Sequence, residues 1–193
     1  MRKSTISAAG VIAASMLAGA ASTASAEGGY AEDRALIEDL QARYLFALDF
    51  RDADAYAATF AEDGILDYGA GQIKGREAIR EMVAGMRRNA EAQRAQDTSG
   101  LRPAAGRHNI SNIVLEIDGN RAVGTAYWFH MGNANPERAA QLNSFGHYED
   151  ELVKVDGEWL FSKRKIYNEQ VPEWVAGSEN PVVHPGDGPK LRN

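Results

Sequence analysis

Two turn signals punctuate the second half of the chain, each set between runs that read as strands. Asp118-Gly119-Asn120 separates Arg107–Ile117 from Arg121–Met131, and Asp156-Gly157 separates Gln141–Val155 from Glu158–Tyr167. Asp-Gly between such runs is a strong hairpin signal, because the turn needs a left-handed backbone that glycine adopts freely. Four long strands joined in this way demand an antiparallel sheet. If Asp118 to Asn120 form a three-residue loop, Ile117 pairs with Arg121, and counting outward sets His108 opposite His130 on one face. A two-residue loop at Asp118-Gly119 would send the two histidines to opposite faces, and a bulge would also change the count. Across the second turn, Val155 opposite Glu158 sets Asp150 against Lys163 and Glu149 against Arg164. Cross-strand ion pairs then explain the charged run around His147 and Glu149 to Glu151 without chemistry.

The first half is helical in pattern. Leu36, Ile37, Leu40, Tyr44 and Leu48 share one face of a helix over 34–50. Ala53 to Ala61 reads as a short second helix with Asp52 as its N-cap and Asp63-Gly64 as its end. Two short strands, Ile65 to Tyr68 and Gln72 to Lys74, follow. A third helix starts after Gly75, presents Ile79, Met82, Val83 and Met86 inward, and frays beyond Asn89. Asp97–Gly106 and Asn133–Arg138 read as loops. Helices first and strands afterwards predict an α+β domain, with a curved sheet wrapped around the N-terminal helices and a central pocket between them.

Residues 1–26 read as a secretory signal peptide. Arg2 and Lys3 precede an apolar, Ala-rich stretch, and Ala24-Ser25-Ala26 is a cleavage pattern. The stretch is too short and too weakly apolar to span a membrane. The expected organisation is therefore a leader, one domain over 27–170, and an extended tail over 171–193 that carries Pro172, Pro181, Pro185 and Pro189. The predicted location is outside the cytoplasm, periplasmic or secreted. Loss of Arg2 and Lys3 takes the net charge of -6 to -8. An acidic surface argues against a nucleic-acid partner, which requires a basic stripe. The chain has no cysteine, and its four histidines show no zinc spacing, so no metal site is expected.

The residues left to carry chemistry are few. Tyr44 and Asp49 close the first helix, and His108 opens a strand. A carboxylate that fixes one nitrogen of an imidazole leaves the other free to act as a base, and a nearby phenol can give a proton. Each also has a structural reading: Asp49 could end one helix or cap the next, His108 could bond to backbone, and Tyr44 occupies a core position in any case. Five residues set Tyr44 and Asp49 about 140° apart around a helix, so the first helix must be enclosed on two sides or end before Asp49. Tyr127, Trp128 and Phe129 supply aromatic surface to both faces of the sheet, and half of it should line the hollow.

Several segments together resemble the SnoaL-like proteins of the nuclear transport factor 2-like superfamily. They are Tyr44-Leu-Phe-Ala-Leu-Asp49, Phe60-Ala-Glu-Asp-Gly64, Lys74-Gly-Arg-Glu-Ala-Ile79, His108-Asn109 and Asp156-Gly-Glu-Trp159. The match runs from about Asp33 to Asn168. Within the superfamily the chain is most similar to scytalone dehydratase, bile acid 7α-dehydratase and lindane dehydrochlorinase. The resemblance implies that Asp49 and His108 form a proton-abstracting dyad and that Tyr44 is a catalytic tyrosine. It further implies that Tyr68 matches a water-holding tyrosine and that His130 lies near a second polar partner. Gly146 and Tyr148 depart from the small polar groups of scytalone dehydratase. Trp128 and Tyr148, with Tyr68 and His130, are expected to contact substrate.

The expectation is a cofactor-independent lyase that eliminates water or a similar group from a small hydrophobic, cyclic molecule. The alternatives are an exported binding domain without turnover, and an isomerase of the ketosteroid type. The latter wants a carboxylate base, for which the long strands offer no clear candidate. A homo-oligomer is expected by analogy, through the open side of the sheet.

Overall fold

The computed structural model describes residues 18–170 and 188–189, with side chains from Gly29 onward. Most of the expected leader, and the tail other than Gly188 and Pro189, lie outside the described residues. The order is α1 (Ala18–Phe50), α2 (Ala53–Ala58), β1 (Phe60–Tyr68), β2 (Gly71–Lys74), α3 (Arg76–Ala95), β3 (Gly106–Asp118), β4 (Arg121–Gly132), β5 (Gln141–Val155) and β6 (Glu158–Asn168). The six strands form one mixed sheet in the order β2-β1-β6-β5-β4-β3. Only β1 and β6 run parallel; the other neighbours are antiparallel. The α+β class and the sheet packed on N-terminal helices are as expected. No helix among the described residues is long and apolar enough to cross a membrane.

Why these elements form is visible in their ends and faces. Ile37, Leu40 and Tyr44 of α1 are fully buried, together with Ile79 and Val83 of α3 and Phe161 of β6. Asp52 caps α2 by accepting from Ala55 N–H at 3.0 Å, so Asp49 is not the cap. The Asp156-Gly157 turn has both central residues at positive φ (50° and 88°), and Val155 faces Glu158.

Four boundaries differ from the sequence reading. The first helix extends N-terminally to Ala18, through the expected cleavage point. The second stops at Ala58, and β1 already begins at Phe60, because Phe60 pairs with Phe161 of β6. Asp63-Gly64 therefore lies within a strand, where the register shifts between Phe60 and Ile65. A Cβ at Gly64 would press on the backbone oxygens of Ala61 and Phe161, which is why glycine stands there. The third helix continues past Asn89 to Ala95, supported on its exposed side by Arg87–Glu91 at 3.0 Å.

Two bulges decide which side chains face inward. At the first hairpin Asp118 pairs with Arg121, a tighter loop than the three-residue reading. A register shift between Ser111 and Val114, with Asn112 at φ 54°, then restores the count, and His108 does face His130. In the second hairpin a bulge between Glu151 and Leu152 moves the pairing by one residue. Asp150 thus meets Arg164, Glu149 meets Lys165 and Glu151 meets Lys163, correcting the predicted pairs. The ion pair of Asp150 is internal, and its side chain and that of Arg164 are both fully buried.

Candidate active site

The C-terminal turn of α1 lies against the start of β3. Asp49 Oδ1 lies 2.6 Å from His108 Nδ1. The same carboxylate accepts the backbone N–H of His108, at 3.0 Å to Oδ2 and 3.2 Å to Oδ1. Both the ring and the chain of His108 are thereby held by one group. Helix α1 runs past Asp49 to Phe50 and is enclosed on two sides, which is how Tyr44 and Asp49 both find partners despite their angular separation. The Asp49 side chain is 6% exposed and that of His108 is 24% exposed, so the pair is dry at the carboxylate and open at the imidazole.

His108 opens on a cavity of about 210 Å³ between α1 and the inner face of the sheet. Tyr44, Tyr68, Trp128 and Tyr148 line it, and so do Ser144 and Asn168. Every expected aromatic site residue is thus brought to one hollow. Tyr127 and Phe129 point to the opposite face, and Tyr127 is 59% exposed. Trp128 is fixed by donating its indole N–H to Tyr167 O at 3.2 Å, and it stacks on Tyr148 with centroids 5.9 Å apart. Gly146 sits opposite Trp128, where a Cβ would collide with the backbone of Tyr167.

His130 lies beside the pair, with its ring centroid 4.5 Å from that of His108. Its Nε2 is packed against Gly106, where any side chain would displace it. Burial lowers the His130 pKa below the ordinary histidine value, and a charge on His108 would lower it further, against the opposing pull of Asp49. His130 therefore resists becoming a cation.

Beneath the cavity is a feature the sequence did not reveal. Arg164 is fully buried and donates to Asp150 through Nε at 2.8 Å and Nη2 at 2.7 Å. Its guanidinium carbon lies 4.2 Å from the ring centre of Tyr44, 4.1 Å from Tyr148 and 4.0 Å from Phe161. Such desolvated cation–π contacts contribute about 2 kcal/mol each. Burial raises the Tyr44 pKa, and Arg164 opposes that without cancelling it, so Tyr44 stays a neutral phenol. Tyr56 donates its hydroxyl to Tyr44 at 2.8 Å, which leaves the Tyr44 proton to be given elsewhere. Ser144, Asn168 and Arg164 carried no sequence signal of their own. Ser144 reaches the cavity by pairing with His130 beside the register shift between His130 and Met131, and Arg164 reaches the interior through the bulge at Glu151.

Similarity to known proteins places this chain in a family. A family model described as the SnoaL-like domain matches residues 29–165, and the chain belongs to that family. Among proteins with curated functions, none matches the chain significantly. Solved structures share the fold. One is a protein of unknown function from Mycobacterium tuberculosis, with 25% identity and a TM-score of 0.62, covering 80% of this chain and 82% of that one. A second is ActVI-ORFA from Streptomyces coelicolor, with 22% identity and a TM-score of 0.60, covering 73% and 98%. A third, from Novosphingobium aromaticivorans, has been provisionally assigned as a scytalone dehydratase. It shows 24% identity and a TM-score of 0.57, covering 74% and 87%.

Proposed function

We propose that this protein is a cofactor-independent lyase that eliminates water, or a similar leaving group, from a small hydrophobic, cyclic substrate. The observation that carries this reading is the 2.6 Å contact between Asp49 and His108 at the wall of an aromatic cavity. Asp49 holds the Nδ1 proton and offsets the charge that His108 gains, while Nε2 takes a proton from the substrate carbon. Tyr44, kept neutral and hydrogen-bonded by Tyr56, is the group we assign to protonate the departing hydroxyl. His130, Tyr68, Trp128 and Tyr148 are assigned to substrate contact, with His130 acting as a neutral partner. The provisional dehydratase assignment of one fold relative supports the same reaction class.

The test is a panel of cyclic β-hydroxy ketones, read by mass spectrometry for a product lighter by one water. Turnover by the wild-type chain and its loss in His108→Ala are expected. Binding with no turnover anywhere in a broad panel would replace the lyase with a small-molecule-binding domain.

We further propose export through cleavage after Ala26, which N-terminal sequencing of chain recovered from the periplasm or medium would test by finding Glu27 first. A homo-oligomer is proposed on the outer face of the sheet, where Tyr127, Met131 and Phe145 are exposed.

A further inference from the structure

The contact between Asp49 and His108 joins residues 59 positions apart, and their immediate neighbours make a second contact beside it. Strand β3 lies at the edge of the sheet, so one side of its backbone has no partner strand. The N–H of His108 is accepted by the Asp49 carboxylate, which stands in for that missing strand. Helix α1 ends directly afterwards: Arg51 has φ 53°, and Asp52 N–H donates to Ala47 O at 2.9 Å. Phe50 is therefore held in the last turn, next to the carboxylate.

Arg107 and His108 are successive on the strand, so their side chains leave opposite faces. His108 lines the cavity, and Arg107 is exposed. The guanidinium carbon of Arg107 lies 4.6 Å from the ring centre of Phe50. Phe50 stacks in turn on Phe46, with centroids 6.4 Å apart and an interplanar angle of 4°. Phe46 is 67% exposed and Phe50 is 61% exposed, so burial contributes little to either ring. What the stack offers is a flat surface for the Arg107 cation, which also meets the negative end of the α1 dipole.

We propose that Phe50 and Arg107 are positioning residues for the Asp49–His108 pair. With Asp49 bonded to His108 and Phe50 under Arg107, the end of α1 grips the edge strand through two side chains that leave it on opposite faces. The grip keeps the carboxylate within hydrogen-bond reach of Nδ1. Its effect on turnover rests on the lyase reading; the grip itself does not. An exposed cation–π contact shifts an equilibrium by about 2- to 5-fold, which sets the size of the effect.

Proton NMR of the full-length chain tests the grip without substrate. His108 should give a far-downfield Nδ1–H resonance, and so should His147, which lies 2.7 Å through Nδ1 from Glu169 Oε1 on the outer face. Each signal is assigned by its loss in His108→Gln or His147→Gln. In Arg107→Met, which keeps the aliphatic stem and removes the cation, the His108 proton should exchange with solvent about 2- to 5-fold faster while the His147 proton is unchanged. Phe50→Leu should do the same, and Arg107→Lys should restore most of the protection. On any hydroxy ketone that is turned over, Arg107→Met should lower kcat by a similar factor and leave KM unchanged. An unchanged His108 signal in both Arg107→Met and Phe50→Leu would overturn the proposal, and so would equal loss of both imidazole signals, which marks general loosening. Absence of the His108 signal from the wild-type chain would remove the bond to be held, and the proposal with it. The expected exchange pattern in a chain that turns over nothing would support the grip and count against the lyase alone.

Discussion

The two faces of the sheet each hold an imidazole against a carboxylate, and the two contacts are nearly identical in length: 2.6 Å for His108–Asp49 inside and 2.7 Å for His147–Glu169 outside. Their surroundings differ. His108 lines a cavity, and its side chain is 24% exposed. His147 is 5% exposed, its Nε2 is buried without a hydrogen-bond partner, and Glu149 at 3.9 Å is too far to supply one. A carboxylate at one ring nitrogen sets up a base, but access at the other nitrogen decides whether it can act. On the proposed reading the inner pair moves a proton, whereas the outer pair holds Glu169 against the sheet.

The largest effect should separate the two pairs by activity. His108→Gln or Asp49→Asn should lower kcat/KM about 10²–10⁴-fold, the usual contribution of general base catalysis, while His147→Gln leaves it unchanged. Steady-state kinetics on a substrate from the hydroxy-ketone panel reads this, and equal losses in both histidine variants would erase the distinction.

Next in size is the buried ion pair behind the inner face. Arg164→Met strands Asp150 in the core and should cost about 3–5 kcal/mol in urea denaturation. Adding Asp150→Leu should recover much of that stability but not the support of Tyr44. By contrast Arg43→Ala, which breaks the exposed 2.8 Å pair with Asp39, should cost under about 1 kcal/mol.

The smallest effect is a pH dependence from His130. Its folded-state pKa is lowered, so the unfolded chain binds the proton more readily, and stability should fall as the pH drops below the ordinary histidine value of 6.5. His130→Asn should flatten that part of the curve. NMR titration should find His130 protonating below 6.5 in the folded chain; a value above it would reverse the sign.

The hairpins show how far the sequence could be read. Asp156-Gly157 sets its own turn, because glycine and aspartate tolerate positive φ, and the residues beside it pair as counted. Beyond a few pairs the count fails at bulges. His108 meets His130 because a tighter loop and the bulge after Ser111 offset each other, whereas the bulge at Glu151 moves Asp150 onto Arg164. Asn112 was the one local hint, since asparagine accepts the left-handed region more readily than most residues.

By itself the sequence determined the helices, the four long strands and the α+β class. These follow from periodicity and turn chemistry, which act over a few residues. Only the tertiary structure decided that Asp49 touches His108 across 59 positions, that Arg164 lies under Tyr44, and that His147 is sealed while His108 is open. Those outcomes depend on sheet curvature and on where bulges fall, and both are set by packing the sheet on its helices.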